Sequence, residues 1–235
     1  MRRGFRVALA LVTVSVASAG LGWLAHAPKH DVGEYAVHRL VAVHQQLDEA
    51  EPGYVLVAGD SQAELQSPSE RICGAPIVNI GVSGATAAVY AGMLPELEFP
   101  VRASAAILTI GTNDLIGKKN PLAPDVADRF GQEVGSIVAR LKTVSDRVVV
   151  TAVPPLGRAL ADEFEAKAVA AYSERIEALC ARIGCLYADP FSELRDGDTG
   201  FGRPGVNRNG LHLTRYRPVL RNLAATLCPH AASAP

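Results

Sequence analysis

At 235 residues, 49% of them hydrophobic, the chain can bury the core of one domain of ordinary to large size, and its composition excludes extended disorder. Lys and Arg number 23 against 24 Asp and Glu, a formal net charge of −1, so no global field draws the chain to nucleic acid. Its four cysteines show neither C-x-x-C spacing nor a His/Cys cluster of zinc-ligand periodicity, which disfavours a metal centre.

Arg2, Arg3 and Arg6 precede an uncharged apolar run over 7–25, which meets Ala25-His26-Ala27, a small-x-small pattern of the kind cut by signal peptidase. Pro28 directly after that pattern disfavours cleavage, and a bilayer is crossed by roughly 20 apolar residues. Residues 1–30 therefore read as an export signal or a retained inner-membrane anchor, and both send the body of the chain to the periplasm or beyond. Export would place Cys73, Cys180, Cys185 and Cys228 in an oxidising compartment that permits up to two disulfides in three connectivities. Cys180 and Cys185 are close enough to pair across a helix-to-strand turn, Cys73 and Cys228 need the fold to bring them together, and buried free thiols are the other reading.

Residues 31–230 read as one domain, with no internal repeat and a frayed tail at 231–235. Apolar residues at Val37, Leu40, Val41, Val43 and Leu47 among charged ones predict an amphipathic helix over 31–50. Short apolar runs at 54–58, 76–80, 105–110, 147–152 and 185–188 then alternate with helical stretches around 85–97, 125–144, 161–183 and 215–227. The runs lack period-2 alternation, as strands do when both faces are covered. The pattern predicts five parallel strands with helices on both sides.

Four turns on this framework carry chemistry-bearing residues. The first strand runs into Gly59-Asp60-Ser61, which would leave the Ser61 hydroxyl exposed at the carboxyl edge of the sheet, where open α/β sheets bind ligands. The plain alternative is a serine that caps the next helix. Gly81-Val82-Ser83-Gly84-Ala85-Thr86 follows the second strand and can aim a backbone N–H outward. Gly111-Thr112-Asn113-Asp114 follows the third, where Asn113 presents an amide or forms an Asx-turn. Asn209-Gly210-Leu211-His212 places a histidine before the last helix.

These four stretches, in this order, resemble the blocks of the SGNH hydrolase superfamily, the GDSL-type esterases and lipases, and the likeness runs from about residue 54 to 227. The resemblance implies a three-layer α/β/α, flavodoxin-like fold. It implies Ser61 as nucleophile, His212 as general base, and the N–H groups of Ser61 and Gly84 with the Asn113 amide as an oxyanion hole. The chemistry needs these types: a hydroxyl attacks only when a base takes its proton, and the oxyanion that forms needs donors already in place. One position departs from the pattern. Asn209 stands where the family has an aspartate, three residues before the histidine. It carries no charge, though a flipped amide could still accept from the ring. An acid from elsewhere is the alternative, with Asp189, Asp196 and Asp198 nearby in the chain.

The resemblance implies an ester hydrolase, the N-terminal segment implies its export, and the expected substrate is a small acyl ester or an O-acylated glycan. A non-catalytic glycan- or protein-binding module and a glycan O-acyltransferase are the alternatives. Arg203, Arg208, Arg215 and Arg217 surround His212 in sequence and suit an anionic substrate, or simply a solvated basic face. No phosphate loop is present, so no cofactor is expected.

Overall fold

The computed structural model describes residues 32–66 and 71–228. The apolar segment expected as signal or anchor over 1–30 and the tail over 231–235 lie outside the described residues. Helix α1 (Val32–Asp48) leads into strand β1 (Val55–Gly59) and the single turn α2 (Ser61–Glu64). Strand β2 (Ile77–Asn79), α3 (Ala87–Met93), β3 (Ala105–Thr109), α4 (Pro124–Val144), β4 (Val148–Thr151), α5 (Lys167–Ile183), β5 (Leu186–Ala188) and α6 (Arg217–Leu227) follow.

The five strands are all parallel in the order β2-β1-β3-β4-β5. Successive strand residues point to opposite faces, and here both faces are apolar. Leu56, Ala58, Ala106, Leu108 and Val150 join one core with Val43, Tyr90, Phe130 and Tyr172 from α1, α3, α4 and α5. Val55, Val57, Ala105, Ile107 and Val149 join the other with Ala63 of α2 and Val219, Leu220 and Leu223 of α6. This is the three-layer α/β/α arrangement with a five-stranded parallel sheet that the pattern predicts. The order reverses between β1 and β3, which opens a crevice at their carboxyl ends.

Two helices are shorter than their periodicity suggests. The stretch from Ala161 is not yet helical, because its main chain is spent on the β3 side of the domain. Gly117 donates to the Glu163 carbonyl at 2.8 Å, Glu165 donates to that of Leu115 at 2.8 Å, and α5 begins only at Lys167. The helix expected over 85–97 stops at Met93 and tightens into a 3₁₀ turn over Leu94–Glu96, where Pro95 has no N–H for an α-helical bond.

The cysteines pair as Cys73–Cys228 and Cys180–Cys185, with Cα separations of 5.6 and 4.5 Å. The first joins the end of α6 to the segment before β2. The second closes the turn between α5 and β5.

Candidate active site

Strand β1 delivers its last residue into a position that only glycine fits. A side chain on Gly59, at φ +130, would meet the Thr109 carbonyl oxygen at 1.8 Å. The chain turns there, and Asp60 donates its N–H to that same carbonyl at 3.0 Å. Asp60, not Ser61, is the helix cap: its carboxylate accepts the Gln62 N–H at 2.9 Å and reaches across to the Thr112 N–H at 3.1 Å. That leaves the Ser61 hydroxyl for other work. Asp60 is fully buried, and the lost hydration pushes its pKa up to about 6 against the pull of those hydrogen bonds.

Ser61 is only 3% exposed, rather than standing open at the sheet edge as the turn alone suggests. The loop that carries His212 closes over it. That loop is fastened by Gly157 N–H to Gly210 O at 2.8 Å, Arg208 N–H to His212 O at 2.8 Å, and the Asn207 amide to Pro155 O at 3.0 Å. Half-buried His212 thereby places Nε2 2.9 Å from Ser61 Oγ. On the other side of the ring, Asn209 Nδ2 lies 3.0 Å from Nδ1.

The orientation of Asn209 fixes the histidine's proton. Asn209 Oδ1 accepts the N–H of His212 at 2.9 Å and of Leu211 at 3.3 Å, so the NH₂ group faces the ring. Turning the amide over would set NH₂ against two N–H groups. The flip expected to rescue the tautomer is therefore opposed by main chain. Nδ1 accepts from Asn209, Nε2 holds the proton, and Nε2–H donates to Ser61 Oγ. This is the reverse of a base ready to accept. Burial pulls the imidazole pKa below its ordinary value, and the charge of Glu64 offsets part of that.

None of the three alternative acids serves the ring. Asp189 is paired with Arg195 and accepts the Phe191 N–H at 3.0 Å, and Asp196 is paired with Arg158 at 2.6 Å. Asp198 makes no bond to His212, and among the described residues no carboxylate bonds Nδ1.

The remaining predicted residues line the neighbouring turns. Gly84, at φ +81, sits in the turn after β2, and neither its N–H nor that of Ser61 is bonded within the described residues. Asn113 Nδ2 donates one hydrogen to the Ala85 carbonyl at 3.0 Å, which ties it to that turn and leaves its second hydrogen for a ligand. Two residues not singled out from sequence hold the same turn. Glu64 accepts the Ser83 N–H at 2.6 Å and is itself held by Tyr35 and by Arg39 of α1. Asp114 accepts the Ala87 N–H at 3.0 Å, and burial pushes its pKa up to about 7. The signal for Glu64 was its spacing: three residues after Ser61 is one helical turn, on the same side. Among the described residues, no group of three His, Cys, Asp or Glu could hold a metal ion.

The model of the GDSL-like lipase/acylhydrolase family matches residues 37–216, from α1 to the last turn before α6. The chain belongs to that family. As a GDSL-like acylhydrolase it is a serine ester hydrolase. Solved structures share the fold at low identity. A protein from Streptococcus pneumonia described as a platelet activating factor superposes with a TM-score of 0.70 at 17% identity, over 91% of this chain and 99% of its own. A GDSL-like lipase from Bacteroides thetaiotaomicron gives 0.65 at 17% identity, over 82% and 98%. A carbohydrate acetylesterase family member from Sinorhizobium meliloti gives 0.53 at 18% identity, over 74% and 97%. Among curated proteins, no sequence matches the chain.

Proposed function

We propose that this GDSL-like acylhydrolase is an exported enzyme that removes a short acyl group, acetyl above all, from an anionic envelope glycan through an acyl-enzyme on Ser61. The observation that carries the reading is the 2.9 Å contact between Ser61 Oγ and His212 Nε2 at the carboxyl edge of the sheet. In the first step Ser61 Oγ attacks the acyl carbon and its proton passes to His212 Nε2. The N–H groups of Ser61 and Gly84 and the free hydrogen of the Asn113 amide meet the negative charge on the former carbonyl oxygen. Collapse expels the sugar alkoxide, which takes the proton from His212. Water then repeats the sequence on the acyl-enzyme, releasing carboxylate.

Asn209 adds a step. Before His212 can accept from Ser61, its proton must move from Nε2 to Nδ1, and the amide must turn its oxygen to the ring. Turning gives up two main-chain hydrogen bonds, each worth about 1 kcal/mol. The competent arrangement is thus a minor one, roughly 30-fold down by those two bonds alone. The enzyme is slow by design of this loop.

Export is supported by the two disulfides, which persist in oxidising compartments. An anionic substrate is supported by Arg203 and Arg208, which line one cavity of about 280 Å³ together with Gly210 of the His212 loop. A carbohydrate acetylesterase among the structural relatives agrees in kind. The test is acetate release from O-acetylated anionic polysaccharides and from p-nitrophenyl acetate, with Ser61→Ala as control and fluorophosphonate labelling of Ser61. Turnover of the small ester with no acetate from any polysaccharide would sink the glycan reading. A folded protein that neither labels nor turns over would sink the acyl-enzyme.

A further inference from the structure

His212 is flanked by Leu211 and Leu213, and each of these offers a main-chain group to a side chain from elsewhere. The Leu211 carbonyl accepts Gln62 Nε2 at 2.8 Å. Gln62 Oε1 accepts the Tyr216 hydroxyl at 2.8 Å, and that hydroxyl in turn accepts the Leu213 N–H at 3.3 Å. The direction of every bond is forced. A carbonyl only accepts, so the Gln62 amide has one orientation; the phenol must then donate to Oε1, and its lone pair is left for Leu213. Burial drives the Tyr216 pKa far above its ordinary value, so the phenol keeps its proton at any working pH.

Gln62 is 1% exposed and directly follows the nucleophile. A buried amide costs free energy unless its hydrogen bonds are made, and an aliphatic side chain would fill the space without that demand. The bonds of this amide go to Leu211 in the loop of the base and to Tyr216 at the start of α6. It is one covalent link from Ser61 at one end and reaches both neighbours of His212 at the other.

The timing of the catalytic cycle gives this circuit its purpose. When Asn209 turns to accept from Nδ1–H, it releases the N–H groups of Leu211 and His212, the two bonds that held that side of the loop. The ring must nevertheless stay within hydrogen-bond reach of Ser61, since a displacement near 1 Å costs on the order of 100-fold in rate. With Asn209 released, the side chains still fastened to the main chain beside His212 are Gln62, Tyr216 and, at 3.2 Å on the Leu211 carbonyl, Asn207.

We propose that Gln62 and Tyr216 are positioning residues for His212, holding the imidazole against Ser61 through the main chain on both sides while Asn209 changes partner. This rests on the Ser61–His212 mechanism proposed above.

The test pairs Tyr216→Phe and Gln62→Leu with Asn209→Asp in the full chain. In the natural background each is expected to lower kcat for p-nitrophenyl acetate by about tenfold or more at nearly unchanged KM. Exchange of the Leu213 amide proton should quicken by about tenfold in Tyr216→Phe, with little change in melting temperature. In the Asn209→Asp background the kcat loss should shrink to about threefold or less, because a carboxylate can hold the ring at Nδ1 without letting go of the loop. Equal losses in both backgrounds would mean a purely structural role and overturn the proposal, as would unchanged kcat with unchanged Leu213 exchange. Should Tyr216→Phe not fold, Gln62→Leu carries the same readouts. If the natural protein shows no turnover, the hydrolase mechanism fails by itself. The Nε2 proton resonance of His212 then decides the positioning: its loss in Tyr216→Phe or Gln62→Leu supports the proposal, and its persistence in both overturns it.

Discussion

Asn209 accepts the N–H of His212 through Oδ1 at 2.9 Å and faces the same residue's ring with Nδ2 at 3.0 Å. One side chain thus binds one histidine twice, as acceptor at the backbone and as donor at the imidazole. An aspartate in this place would keep the first bond unchanged and reverse the second. Everything needed to seat a carboxylate is already built.

Asn209→Asp is therefore expected to raise kcat. The proton would sit on Nδ1, Nε2 would face Ser61 as acceptor, and the imidazolium would gain a neighbouring negative charge. The gain should exceed tenfold and has a ceiling of about 10⁴-fold, the loss known for the reverse change in a serine protease. Steady-state turnover of p-nitrophenyl acetate checks the rate, and ¹⁵N shifts of the His212 ring check the tautomer.

The acid limb of the pH profile should lie low. His212 is neutral until the pH falls below its ordinary value, because burial disfavours the imidazolium, so the base form persists to pH values under 6.5. In Asn209→Asp the new charge favours the imidazolium, and the limb should move up. A profile of kcat/KM between pH 4 and 8 on both proteins measures the displacement. No upward movement would mean that the carboxylate does not reach the ring.

Stability should fall as the pH rises across neutrality. The Asp60 and Asp114 carboxyls have pKa values of about 6 and about 7 in the folded chain against a usual 3.8. The folded state thus binds more protons than the unfolded state between those values. The favourable contribution is complete below about 4 and is lost as the pH passes through about 7. The melting temperature should drop by a few degrees from pH 5 to pH 8, and by less in Asp114→Asn, whose carbonyl can still accept the Ala87 N–H. Thermal melts at the two pH values read this directly.

The two disulfides should contribute unequally. The Cys73–Cys228 bridge spans 155 residues and Cys180–Cys185 spans 5. Loop-closure entropy gives ceilings of about 5 and about 2 kcal/mol respectively. Replacing Cys73 and Cys228 together by Ser should lower the midpoint of urea unfolding more than the same change at Cys180 and Cys185.

The sheet was legible because its strands are short apolar runs that end in glycine-containing turns, as at Gly59 and Gly111, and a run buried on both faces leaves little doubt about its neighbours. Ser61 and His212 could be paired through the family blocks that their stretches resemble, since Ser61 ends the first strand run but His212 lies in the loop before α6, far past the last strand. The tautomer was not legible. The missing charge at Asn209 shows in the sequence, but the direction of its amide depends on two N–H groups that only the folded loop brings to it. Gln62 and Glu64 were passed over for a related reason. Polar residues after a turn look like a solvated surface until α1 and the 207–213 loop fold over them. The late start of α5 has the same origin, since periodicity cannot show that Glu163 and Glu165 give their main chain to β3's loop.

Cys228 follows every strand of the sheet, whereas its partner Cys73 precedes β2. Gly84, Asn113 and His212 fall inside the span this bridge closes, and Ser61 falls outside it, on the turn after β1, which lies between β2 and β3. The bridge cannot be made until the chain has been made past all five strands. Oxidation is thus a stamp of a completed sheet: it closes Gly84, Asn113 and His212 into one covalent ring, with Ser61 outside it on the turn after β1.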